Sequence, residues 1–153
     1  MRKNLLLQNK LLFLSLIIVL IDQLTKLLAY QNLSRGIPYS VIPNFLEFNL
    51  VFNTGAAFSI LSNNSNLLGF LSLAVSTYLF IWIIRHPTPI DYKSIGIAFL
   101  LGGSLGNGID RFLKGYVIDF IATVPINFPV FNIADIAINI AIILLLLDYF
   151  NPK

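Results

Sequence analysis

The sequence has no cysteine, which removes a disulfide framework, a thiolate metal site and a cysteine nucleophile together. It has a single histidine, His86, set between Arg85 and Pro87 in a polar connection. That solitude excludes a histidine-based zinc cluster and argues against a Ser-His-Asp triad. Charge is also scarce, at 11% of residues, where a soluble domain carries about 25%. The net charge of +3 comes with no basic stripe, so nucleic acid is not an expected partner. Acid–base chemistry in this chain must come from carboxylates, or from Lys26 paired with a serine.

What is present instead is apolar: 57% of the 153 residues. Four stretches, near 11–30, 67–84, 94–112 and 133–150, are long enough to cross a hydrocarbon core, which takes about 20 helical residues. The expected fold is an all-α integral membrane protein with four transmembrane helices, forming one membrane-embedded domain over residues 1–153. The first stretch follows Arg2, Lys3 and Lys10 as a secretory leader would. It runs on through Asp22, Gln23 and Lys26 with no small-residue cleavage site, so it reads as a retained helix. Lysine and arginine in the connections set the orientation. With a cytoplasmic N-terminus, the inner side holds Arg2, Lys3, Lys10, Arg85, Lys93 and Lys153, and the outer side only Arg35 and Lys114. Both termini are therefore expected inside, and segments 31–66 and 113–132 outside. Within the first of these, Leu46, Phe48, Leu50 and Phe52 alternate with Glu47, Asn49 and Asn53. This period of two marks a half-buried strand, expected as a small extracytoplasmic platform after helix one.

Polar groups inside the apolar stretches are the informative residues, because each charge at a helix centre costs about 2.5–3.5 kcal/mol on insertion scales. Helix one carries Asp22 and Lys26 on one face; helix three carries Asn107, Asp110 and Arg111; helix four opens with Asn132, Asp135 and Asn139. At about 1.5 Å per residue, all three stripes fall toward the outer leaflet. Asp119 stands in the apolar run 115–121, and Pro125 and Pro129 interrupt regular structure before helix four. A hairpin-like return across this segment can carry Asp119 back to Asp135. Two carboxylates close together in a low-dielectric pocket cannot both ionise easily, so one keeps its proton and the other serves as base. Other readings stay open on spacing alone. The pair could instead brace the helix ends against Arg111 and Lys114, the buried acids could move protons in a small transporter, or Lys26 could work with a serine. Gly102 and Gly106 form a small-residue ridge for close helix packing, with Ser104 beside them, and Trp82 fits an interfacial anchor.

Five segments, taken in order, resemble the lipoprotein signal peptidases (signal peptidase II). They are Asp22-Gln23-x-x-Lys26; Asn53-Thr54-Gly55-Ala56-Ala57-Phe58; the run from Gly102 to Arg111; Gly115-Tyr116-Val117-Ile118-Asp119-Phe120; and Phe131-Asn132-Ile133-Ala134-Asp135. The resemblance implies an enzyme of the bacterial cytoplasmic membrane; a monomer is expected, with its active site near the outer leaflet surface where the polar stripes fall. It would cut signal peptides from lipid-modified prolipoproteins, just before a diacylglyceryl-modified cysteine. It implies Asp119 and Asp135 as the catalytic dyad, with Asn53, Asn107, Arg111 and Asn132 lining the site. Asp22, Lys26, Gly55 and Asp110 would support it. Membrane lipids and globomycin-type cyclic peptide inhibitors are the other implied partners, and no metal or organic cofactor is expected. The connection 113–132 looks short for the family.

Overall fold

A computed structural model describes residues 2–55, 64–86, 89–126 and 128–151, with side chains from Leu6 onward. Ala56, Ala57 and Phe58 of the second motif, Pro87, Lys153 and the side chains of Arg2 and Lys3 lie outside the described residues. The described chain runs α1 (Arg2–Asn32), β1 (Tyr39–Ile42), β2 (Leu46–Asn53), α2 (Ser65–Arg85), α3 (Tyr92–Lys114), β3 (Val117–Thr123) and α4 (Ile133–Phe150).

Three of these helices are long and apolar enough to cross a membrane: α1 over Leu6–Asn32, α2, and α4. Helix α3 falls short in composition, and its place in the bundle gives the reason. It packs against each of the other three helices, and most of it from Ser94 to Asp110 is buried. A helix wrapped by protein need not be apolar all round, so α3 can carry glycines, Ser104, Asn107 and Asp110 on surfaces that never meet lipid. The outer helices show the converse, with Leu20, Leu24, Phe70, Leu71, Ile143 and Leu146 exposed.

Between helices in lipid, close approach matters more than apolar burial, and small residues permit it. A Cβ at Gly102 would stand 2.8 Å from the Ile18 side chain of α1, and one at Gly103 would stand 2.6 Å from the Ala134 carbonyl oxygen of α4. The predicted Gly102–Gly106 ridge meets α1, at Ile18 and Asp22, and Gly103 beside it meets α4. Gly103→Ala is expected to destabilise by about 1–3 kcal/mol, the usual cost of overpacking against backbone that cannot yield. Gly108→Ala meets only the Ser72 side chain, at 3.1 Å, and should cost less. Thermal unfolding of both variants in detergent checks the order.

The apolar core gathers Leu11, Leu79, Ile83, Ile97, Ala98 and Leu101 at one end of the bundle. The polar stripes of α1, α3 and α4 gather at the other, beside a three-stranded antiparallel sheet in the order β1-β2-β3. The alternating segment does form a strand, β2, but its burial does not alternate: Leu50 is buried and the other seven residues are half-buried. A bulge between Phe48 and Val51 interrupts the register against β3, which breaks the simple period. The expectation of an all-α chain with one strand platform is refined by β1 and by β3, whose apolar run hid its strand character. Helix α1 also begins about two and a half turns before the predicted boundary, at Arg2.

Candidate active site

Strand register and one helix cap build the site. Val51 of β2 pairs with Asp119 of β3, so Asn53, two residues along the same face, is the diagonal neighbour of Asp119. The Asn53 amide donates to Asp119 Oδ2 at 2.9 Å. Its own oxygen accepts the Gly55 backbone N–H at 2.9 Å, which settles which end of the amide faces the carboxylate. Past β3 the chain returns through a bridge between Ile121 and Phe131, placing Asn132 beside Asp119.

Asn132 caps α4 with a reciprocal capping box. Its side-chain oxygen accepts the Asp135 N–H at 3.0 Å, and Asp135 Oδ2 accepts the Asn132 N–H at 3.2 Å. The amide nitrogen of Asn132 is thereby turned away from the helix, and it donates to Asp119 Oδ1 at 2.6 Å. One residue thus links both acids. Asn107 of α3 completes the ring, donating to Asp135 Oδ1 at 2.8 Å. Asn53, Asn107, Arg111, Asp119 and Asp135 line one cavity of about 480 Å³, together with Ser72, Ser104 and Ile138. The sequence reading had missed Ser72 and Ile138 as lining residues and had treated Ser104 only as a packing residue. Arg111 holds the Gly55 carbonyl through Nη2 at 3.0 Å.

Behind this cavity lies a fully buried charge cluster. Lys26 Nζ pairs with Asp22 Oδ2 at 2.8 Å and with Asp110 Oδ2 at 3.1 Å. Lys114 also pairs with Asp110, at 2.9 Å, rather than with the cavity acids. Asp22 accepts the Ala134 N–H at the start of α4, 2.9 Å away, and Gln23 donates to the Gly106 carbonyl at 3.0 Å. Every predicted site residue therefore belongs to one connected polar assembly at the sheet end of the bundle, in two layers. Asp148 is remote from it, at the far end of α4. Among the described residues, no three His, Cys, Asp or Glu side chains group as metal ligands.

Asp119 accepts hydrogen bonds from the neutral amides of Asn53 and Asn132, and its surroundings are apolar: Val117, Ile118 and Phe120 are all buried. Burial pushes its carboxyl up to about 7, the nearby Asp135 charge adds to that, and the amides of Asn53 and Asn132 pull only partly the other way. A carboxyl poised there can hold a proton at neutral pH and still release it.

Helices packed around a buried polar end, with a small sheet beside it, form the fold of a bacterial membrane enzyme. One such enzyme, solved in meso at 2.3 Å, superposes with a TM-score of 0.84 at 34% identity, covering 95% of this chain and 92% of that one. A second, solved at 1.9 Å, gives the same score at 31% identity, covering 95% of each chain. The signal peptidase (SPase) II family, Peptidase_A8, matches residues 14–151, and the chain belongs to that family. The lipoprotein signal peptidase of Parasynechococcus marenigrum (strain WH8102) is 53% identical over 137 residues, covering 90% of this chain and 86% of that protein. That of Synechococcus sp. (strain RCC307) is 48% identical, covering 89% and 91%. The resemblance carried by the five motifs is borne out: this is a protease, and a multi-pass protein of the bacterial inner membrane.

Proposed function

We propose that this chain is an aspartic endopeptidase that removes signal peptides from bacterial prolipoproteins, cutting before the diacylglyceryl-modified cysteine. The observation that carries the reading is the bridge at buried Asn132, which ties together two acids lining one cavity, Asp119 through its side-chain amide and Asp135 through its backbone N–H. In the proposed reaction Asp135 takes a proton from water as the water oxygen bonds to the scissile carbonyl carbon. Asp119 gives its proton to the carbonyl oxygen. On collapse the C–N bond breaks, Asp135 passes its proton to the leaving nitrogen, and Asp119 recovers one from the hydroxyl. Arg111 and the asparagines hold the peptide in place for this exchange.

All four helices span the bilayer in this reading, both termini are cytoplasmic, and the cavity lies near the outer leaflet. Acyl chains anchored in the bilayer would then present the peptide bond at the depth of the acids. The test is cleavage by purified protein of a prolipoprotein with and without its diacylglyceryl group. We expect cleavage of the lipidated form with at least about 10²-fold preference, because remote binding energy is realised at the reacting bond. Equal cleavage of both forms would exclude the lipid-dependent specificity.

A further inference from the structure

The mechanism leaves the most deeply buried cation unexplained. Lys26 is fully buried and does not line the cavity, yet it reaches the wall from behind. Its Nζ donates to Asn107 Oδ1 at 2.9 Å, on the far side of the amide that donates to Asp135. A lysine has donors and no acceptor, so it can only face the oxygen of that amide, and the nitrogen must then face Asp135. A second donor, the Asn132 amide, reaches the same oxygen at 3.1 Å, but it is shared. The Asn132 amide has two protons and three acceptors around it: Asp119 Oδ1 at 2.6 Å, Asn107 Oδ1 at 3.1 Å and the Ile118 carbonyl at 3.4 Å.

We propose that Lys26 is a positioning residue: it locks Asn107 so that its amide nitrogen, and never its oxygen, is presented to the Asp135 carboxylate. Without Lys26 only the shared Asn132 proton holds that oxygen, and the amide gains freedom to turn over and set an oxygen against the carboxylate, displacing it from the attacking water. Asp22 and Asp110 hold Lys26 in place, and Asp22 fixes the start of α4 through the Ala134 N–H. This inference rests on the dyad reading above.

Removing Lys26 alone strands the buried Asp22 carboxylate, so the decisive variant is the charge-matched pair Asp22→Asn with Lys26→Met. The asparagine keeps an acceptor for Ala134, and Asp110 keeps Lys114. With lipidated prolipoprotein as substrate, the pair should fold, bind with KM near wild type, and lose about 10²-fold in kcat, the scale of a small misplacement at the reacting groups. Asn107→Ala should lose a similar factor, and adding it to the pair should cost little more, since both act through one amide. A charge-matched enzyme with wild-type kcat would overturn the assignment, because charge balance alone would then explain Lys26. So would losses that multiply in full. Either result can arise while Asp119→Asn and Asp135→Asn are inactive, which keeps the dyad standing. Active dyad variants would instead remove the dyad, and this assignment with it.

Discussion

Asp119→Asn and Asp135→Asn should each lower kcat by at least about 10³-fold, toward the upper range for loss of a positioned acid or base, while the protein stays folded. The substitution preserves shape and changes only proton chemistry. Asp119 accepts one amide proton on each oxygen, from Asn53 and from Asn132. An asparagine there satisfies one donor and sets an NH₂ against the other. Neither neighbour is free to turn, because the Asn53 oxygen serves Gly55 and the Asn132 oxygen serves Asp135. That misfit costs some stability, and replacing a strongly desolvated carboxyl with a neutral amide offsets part of it. Asp135→Asn meets the same problem at the α4 cap, where its oxygens accept from the Asn132 backbone and from Asn107. Cleavage assays should be run beside melting curves in the same detergent. Wild-type turnover by either variant would end the two-acid mechanism.

Turnover should also fall above neutral pH, by about tenfold per pH unit beyond the titration of the pair, so by roughly 10²-fold near pH 9. The cause is Asp119, whose buried carboxyl titrates at about 7. Once it ionises, no proton is available for the carbonyl oxygen. Stability follows the same group with a definite sign. Below the ordinary carboxylate range, folded and unfolded chains both hold the proton. From there up to about 7 the folded chain keeps a proton that the unfolded chain has released, so stability falls as pH rises through this window and levels off above it. Asp119→Asn should flatten that part of the profile. A wild-type rate constant that is unchanged from pH 6 to pH 9 would contradict both the proton inventory and the role given to Asp119.

The features legible in the sequence were those that lipid makes expensive. Asp22, Lys26, Asn107, Asp110 and Asp135 stood out because each interrupts an apolar helix, and the structure joins them in one assembly at one end of the bundle. The boundaries of α2 and α4 followed from apolar length. Less could be read where cost gives no signal. The run Val117–Thr123 is apolar apart from Asp119 and Thr123, so nothing in its pattern told a strand from a helix end; only pairing with β2 and Phe131 makes it one. Asn132 was visible as polar but not as the residue that caps a helix and serves both acids, since that depends on a bridge made by another part of the chain. Lys26 could be paired with Asp22 by spacing, whereas its contact with Asn107 lies 81 residues away.

The bond between Asp22 and the Ala134 amide bears on when the enzyme can first act. Asp22, in the helix that emerges first during synthesis, receives the Ala134 amide from the helix that emerges last, and Asp135 is the next residue. A nascent chain that ends after β3 has Asp119 but neither Asp135 nor Asn132. On the proposed dyad, hydrolysis is expected only once the final helix docks, and a chain truncated before residue 132 should be inert however well its earlier helices insert.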